Sequence, residues 1–81
     1  MSETTSVRMP NLGAEASAGV VVAWLRAVGD TVASGEILAE IETEKATVEL
    51  ESPVAGRISE ILQPVGTEVP SGEILIVIVS D

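Results

Sequence analysis

Residues 19–41 read GVVVAWLRAVGDTVASGEILAEI and residues 56–78 read GRISEILQPVGTEVPSGEILIVI; a shift of 37 residues lays one on the other. Eleven of the 23 positions are identical, among them Gly29/Gly66, Gly35/Gly72, Leu38/Leu75 and Ile41/Ile78. Six of the seven glycines fall into three of the matched pairs, Gly19/Gly56 being the third. A solenoid needs about three repeats to cover its core. Two copies therefore predict one domain folded about a pseudo-two-fold axis.

Each copy reads as a β-meander. Strand-like stretches at Gly19–Leu25 and Gly56–Leu62 lead into turns at Val28-Gly29-Asp30 and Val65-Gly66-Thr67. A short extended piece follows around Val32 or Val69, then Ser-Gly-Glu, then a strand over Ile37–Glu42 or Ile74–Val79. The paired glycines stand where turns call for positive φ, and Pro10, Pro53, Pro64 and Pro70 leave little room for a helix. Trp24 is the only aromatic residue in a chain that is 46% hydrophobic, so the core must be Val, Ile, Leu and Ala, rich in β-branched side chains that favour strands. Trp24 itself is expected to pack in the core or on a sheet face. The expected fold is all-β, a flattened barrel or sandwich of two small antiparallel sheets.

The same composition narrows function. Without Cys or His the chain has no disulfide, thiol nucleophile, zinc-thiolate site or imidazole base. Thirteen acidic residues against four basic ones give a net charge of −9, the wrong balance for binding a nucleic-acid backbone. The acidity serves solubility, or selects a basic partner. No apolar run approaches the roughly 18 residues of a membrane span, and the first residues have no secretory pattern. An independent enzyme, a nucleic-acid binder and a membrane protein are all disfavoured.

Lys45 is the only lysine. It sits between two alternating stretches, one with Ile37, Ala39 and Ile41 inward and Glu40 and Glu42 outward. In the other, Ala46, Val48 and Leu50 turn inward and Thr47, Glu49 and Glu51 outward. A hairpin with Glu44 and Lys45 as its turn residues pairs Thr43 with Ala46, Ile41 with Val48, and Glu40 with Glu49. A one-residue slip would expose every apolar side chain. Glu-Lys is a poor primed turn, which prefers Asn-Gly, but fits a type I turn. Under the 37-residue shift Lys45 corresponds to position 8 and to position 82, one past the end. It is therefore expected at the end of the domain remote from the termini. Read by composition alone, Lys45 is also compatible with an ordinary solvated turn lysine.

With these residues assembled, the stretch from Gly29 to Val32 and from Ser34 to Glu49 resembles the lipoyl domains of 2-oxoacid dehydrogenase acyltransferases. Met9-Pro10-Asn11-Leu12-Gly13 and Ser52-Pro53-Val54-Ala55-Gly56 are similar to further landmarks of that family. The resemblance covers about residues 7–79. It implies two four-stranded sheets, with the lysine in a type I turn. It further implies lipoate joined by an amide to the Lys45 ε-amine, as a swinging arm moving acyl groups and electrons between the active sites of a 2-oxoacid or acetoin dehydrogenase complex. The domain itself does no catalysis. The implied partners are a lipoate-protein ligase or lipoyl transferase, a thiamine-diphosphate-dependent first enzyme, an acyltransferase core using coenzyme A, and dihydrolipoamide dehydrogenase. By position Glu42 and Gly29 match recognition residues of the family; each also reads as a plain solvated carboxylate and a plain turn glycine, Gly66 repeating the latter. Glu44 stands where the family usually has Asp, and with Ala46 it looks lipoyl-like, since biotin carriers flank their lysine with methionines.

A biotin carrier of a carboxylase, an unmodified interaction module of the same fold and a glycine-cleavage carrier are the alternatives. Residues 1–6 are expected to be a disordered N-terminus, 7–79 the domain, and 80–81 the start of a linker to a missing acyltransferase core. The isolated domain is expected to be monomeric. Its expected location is the bacterial cytoplasm, or the mitochondrion after loss of a transit peptide.

Overall fold

The β-branched, glycine-punctuated sequence folds into strands alone. The structure, a computed structural model, describes residues 3–9, 18–44 and 46–80. Eight strands follow one another: β1 (Glu3–Arg8), β2 (Ala18–Trp24), β3 (Thr31–Val32), β4 (Ile37–Glu42), β5 (Thr47–Glu51), β6 (Gly56–Ile61), β7 (Glu68–Pro70) and β8 (Ile74–Ser80). They form two four-stranded antiparallel sheets, ordered β1-β8-β6-β3 and β5-β4-β2-β7. The two ladders stay separate, so the sandwich half of the expected description holds and the sheets are not closed into a barrel.

The sequence repeat becomes an exchange of strands. The two longer strands of one repeat, β2 and β4, share a sheet with β7 of the other; β6 and β8 share theirs with β3. Equivalent residues make equivalent bonds: Gly29 donates to the Ile58 carbonyl at 2.8 Å and Gly66 to that of Val21 at 2.8 Å. Leu25 donates to Leu38 and Leu62 to Leu75, again 37 residues apart, at 2.8 and 2.9 Å. The outer strands β1 and β5 extend the symmetry at a spacing of 43, because Thr5 faces Ile78 as Val48 faces Ile41. Neither repeat can form its sheet alone, which accounts for one domain in place of two.

Strict alternation fails at two equivalent places. Leu38 and Ala39 are both fully buried, as are Leu75 and Ile76. The register slips between Ile37 and Ala39 against β5, and between Val7 and Arg8 against β8, each leaving one leucine extra in its strand. A bulge opposes two residues to one and bends the strand, so that consecutive side chains can both turn inward. The expected inward set therefore gains Leu38, while Ile37 is only half-buried. The core is Val21, Val32, Leu38, Ala39 and Ile41 against Ile58, Val69, Leu75, Ile76 and Ile78, with Val7, Met9 and Leu50 at its margins. Half-buried Trp24 packs against it and donates its indole N–H to the Gln63 carbonyl at 2.8 Å.

The expected disordered N-terminus is corrected in part. Glu3–Ser6 belong to β1, paired with β8 from Glu3 against Ser80 to Ser6 against Val77, and Ser80 closes β8 in place of opening a linker. An edge strand needs only its backbone to pair, so a Glu-Thr-Thr-Ser stretch carries almost no hydrophobic signal. Residues 1, 2, 81 and the Pro10–Gly13 landmark lie outside the described residues.

Two outcomes follow for stability. A Cβ at Gly56 would stand 2.6 Å from the Val79 carbonyl oxygen and 2.8 Å from Ile78 Cγ2. Gly56→Ala must push β6 from β8, and urea denaturation should show a loss of roughly 1–3 kcal/mol. The second concerns Glu36, whose carboxylate accepts the Ala33 N–H and pairs with Arg26, two contacts that hold its pKa below the ordinary value. A lowered folded-state pKa stabilises above the unfolded value of about 4.3, and that contribution is lost as pH falls through the folded value. Between neutral pH and that acid range, the parent should lose more melting temperature than Glu36→Gln, the difference appearing only below about pH 4.3.

Candidate functional site

The β4–β5 hairpin has the register that inward-facing Ile41 and Val48 require. Ile41 faces Val48, Glu40 faces Glu49 and Glu42 faces Thr47. Thr43 N–H donates to the Ala46 carbonyl at 2.8 Å, so chain connectivity leaves two residues, Glu44 and Lys45, to close the turn. No described residue other than glycine has positive φ. Glu44 is therefore outside the left-handed region, which excludes both primed turns at this first turn position and leaves type I compatible. Lys45 itself lies outside the described residues.

The core ends two rungs below the Thr43–Ala46 pair that closes the hairpin. Ile41 is fully buried and Val48 half-buried, whereas Glu42, Glu44, Ala46 and Thr47 are exposed. Ala46 was expected inward; it keeps the alternation but stands beyond the reach of the opposite sheet. Glu42, Glu44 and Ala46 are thus brought together around the turn. Glu49 and Glu51 continue the acidic face along β5, and Glu40 stands half-buried beside Glu49 despite the like charge.

Gly29 is not part of this cluster. It lies in the turn between β2 and β3, with φ of 95°, while its equivalent Gly66 has φ of 92°. The two turns occupy opposite ends. Ala18 and Gly19 run past the Glu42 rung toward the hairpin tip, and Pro70 pairs with Ala18 there. From Pro70 a three-residue turn starts β8, which runs its seven residues away from the tip to Ser80 beside Glu3. The 37- and 43-residue equivalences carry the Thr43–Ala46 rung onto Ser80–Glu3, since 80 − 37 = 43 and 3 + 43 = 46. Gly29, bonded to Ile58 opposite Ile78, belongs to the half of the domain nearer the termini. A shallow hollow lined by Thr31, Gly56, Arg57 and Val79 is also at that end. Among the described residues no group of three acidic side chains is arranged to hold a metal.

Thr43, placed by the sequence only as the partner of Ala46, also contributes its side chain to the turn. Its hydroxyl donates to the Ala46 carbonyl at 2.8 Å and accepts the Ala46 N–H at 3.1 Å. A threonine one residue before a two-residue turn was the available signal, because Ser and Thr hydroxyls bond locally to backbone at turns.

Residues 5–78 match a family of biotin- and lipoyl-bearing domains described as biotin-requiring enzyme. The chain belongs to this family. Within it, the chain is 45% identical over 71 residues to the dihydrolipoyllysine-residue acetyltransferase component of the pyruvate dehydrogenase complex of Corynebacterium glutamicum, covering 88% of this chain and 10% of that protein. It is 42% identical over 72 residues to the dihydrolipoyllysine-residue succinyltransferase component of the 2-oxoglutarate dehydrogenase complex of Bartonella vinsonii, covering 89% of this chain and 18% of the relative. The chain thus spans less than a fifth of these relatives. Among solved structures it resembles the lipoyl domain of the 2-oxoglutarate dehydrogenase complex of Azotobacter vinelandii, with a TM-score of 0.71 and 27% identity over 94% of this chain and 98% of that one. The urea carboxylase of Kluyveromyces lactis shares the fold at a TM-score of 0.80 and 24% identity, with 94% of this chain covering 6% of the enzyme. The domain is homologous to the lipoyl domains of acyltransferase components, carrier domains that are not themselves catalytic, and a biotin carrier is less well supported.

Gly29 and Gly66 separate turn chemistry from recognition. Added Cβ atoms at either meet nothing within 4 Å, so alanine there costs only backbone strain. Gly29→Ala and Gly66→Ala should each lose about 1–2 kcal/mol in denaturant titrations. If Gly29 serves recognition, Gly29→Ala alone should slow modification of the domain by a ligase; equal behaviour of the two variants would leave it a turn glycine.

Proposed function

We propose that this domain is a lipoyl carrier in which lipoate is amide-linked to Lys45. The single observation that carries the reading is the Thr43–Ala46 rung, which leaves the only lysine of the chain and Glu44 to close an exposed hairpin. A covalent arm needs no pocket, and the residues around the turn fit one: Glu42, Glu44, Ala46 and Thr47 are exposed, leaving the tip open to a modifying enzyme. When attached, lipoate supplies a dithiolane that takes up acyl groups and electrons. The protein's part is to hold the amine at a fixed point on a rigid ladder. Tethering gives the cargo an effective concentration on the order of millimolar at any site the arm reaches.

The relatives, components of pyruvate and 2-oxoglutarate dehydrogenase complexes, support a place in a 2-oxoacid dehydrogenase complex; an acetoin dehydrogenase complex is the other setting. In either setting the domain visits a thiamine-diphosphate-dependent first enzyme, an acyltransferase core using coenzyme A and dihydrolipoamide dehydrogenase. A lipoate-protein ligase or lipoyl transferase loads it, with Glu42, Glu44 and Ala46 forming the surface these enzymes meet and Gly29 a more distant recognition element. We place it in the bacterial cytoplasm or, in a eukaryote, the mitochondrion.

Intact mass tests the proposal. After incubation with lipoate, ATP and a lipoate-protein ligase, the chain should gain one lipoyl group, mapped by peptide sequencing to Lys45. With biotin and a biotin ligase it should gain none. Lys45→Ala should gain nothing and melt like the parent, since exposed surface changes usually stay within about 0.5 kcal/mol. Biotin loading in preference to lipoate would assign the domain to a carboxylase, and no loading by either ligase would leave an unmodified interaction module.

A further inference from the structure

We infer that Thr43 is a positioning residue for lipoate attachment, its hydroxyl fixing the turn from which the Lys45 amine is presented. The inference rests on the lipoyl-carrier reading. Two-residue hairpins ordinarily gain their geometry from Asn-Gly or Asp-Gly, whose left-handed backbone matches strand twist. Glu44 is not left-handed, so this hairpin lacks that source of definition. Across its base the Ala46 carbonyl accepts from both the backbone N–H and the hydroxyl of Thr43, each at 2.8 Å, and the same hydroxyl oxygen accepts the Ala46 N–H at 3.1 Å. One side-chain oxygen thereby satisfies both polar groups of the residue that follows the lysine. Threonine is stiff about χ1, so the hydroxyl locks one end of the turn to the other. Core packing cannot do this work, because the buried ladder stops at Ile41 and Val48 while Ala46 and Thr47 are exposed.

Placement matters because loading is a group transfer with a demanding geometry. The deprotonated Lys45 nitrogen forms a bond to an activated lipoyl carbonyl as the carbonyl–oxygen bond to its leaving group breaks. The leaving group departs with the electron pair, and the nitrogen sheds its remaining extra proton to solvent. A misplacement of about 1 Å can cost on the order of a hundredfold in such a step. A loosened turn leaves the docking surface intact but lowers the fraction of complexes with the amine in line.

The test compares the parent, Thr43→Val and Thr43→Ser under steady-state loading by a lipoate-protein ligase with lipoate and ATP. Thr43→Val, which keeps the shape and removes the hydroxyl, should lower kcat roughly tenfold with KM near the parent's. Thr43→Ser, which keeps the hydroxyl, should restore most of the loss. Acetylation of Lys45 by a small activated ester, which needs no positioning, should run at the same rate in all three. Amide exchange at Ala46 should quicken in Thr43→Val alone, a readout independent of the ligase. Parent-like kcat in Thr43→Val, a loss confined to KM, or failure of serine to restore loading would each overturn the inference. Failure of the parent itself to load would instead overturn the lipoyl reading on which it rests.

Discussion

The structure depends on two backbone hydrogen bonds that cross between the repeats: Gly29 to the Ile58 carbonyl and Gly66 to the Val21 carbonyl. Each joins a turn that ends one repeat's first strand to a core strand of the other repeat. Both donors sit at φ near 90°, where residues with a Cβ are strained. The turns hand β3 and β7 across the sandwich, so each four-stranded sheet is completed by the opposite repeat. Without the exchange, each repeat would hold only a few strands with one apolar face uncovered, which is too little to be stable in water. The exchange also accounts for Gly56, whose missing side chain lets β6 lie against β8 where β3 joins the edge.

The same constraint leaves the hairpin tip unencumbered. The axis carries the Thr43–Ala46 rung onto the Glu3–Ser80 pair, which places the turn at the opposite end of the domain from that pair. Near the hairpin the domain is predominantly acidic: Glu42, Glu49, Glu51 and Glu68 are exposed on β4, β5 and β7. Of the described arginines, Arg57 lies on the other sheet toward the termini and Arg26 is paired with Glu36, while Arg8, on the other sheet, stands opposite Ile74 at the hairpin's end and donates to the Gly72 carbonyl. β5 is an edge strand, and an edge offers unpaired backbone to any neighbouring chain. Glu49 and Glu51, both exposed, blunt it against pairing with another chain.

Most of this architecture was legible in the sequence because two independent periodicities agreed. The 37-residue repeat gave the symmetry, and alternation around Lys45 gave a hairpin register that the pairing of Ile41 with Val48 matches. What escaped was local geometry that leaves no hydrophobic trace. The bulges at Leu38 and Leu75 turn adjacent side chains inward, and nothing in Ile-Leu-Ala or Ile-Leu-Ile distinguishes a bulge from regular strand. β1 is legible only once β8 offers it an edge, since Thr4, Thr5 and Ser6 carry no apolar pattern of their own. The site was legible in part. Glu42, Glu44 and Ala46 gather at the tip as the register requires, whereas Gly29 lies in a turn toward the other end. A sixteen-residue separation in sequence says nothing about distance across a sandwich.

A carrier must reconcile two demands on one hairpin. The strands below must be rigid, or the cargo would have no fixed origin; the tip must be exposed, or no enzyme could reach it. The chain meets both by ending its core abruptly. Ile41 is sealed beneath the opposite sheet, and every described residue beyond it in the hairpin is at least partly open to solvent. That abrupt edge separates what sets stability from what sets recognition. Tip residues can be chosen for recognition with little effect on folding, so a carboxylate can stand where a hairpin would prefer asparagine. Definition of the tip then has to come from polar contacts. Among the described residues these include the backbone and side chain of Thr43 against Ala46. Each such contact contributes only about 0.5–1.5 kcal/mol net, too little to fold a domain but enough to change a local population severalfold. The scale of the interaction suits orientation of a turn better than stabilisation of a fold.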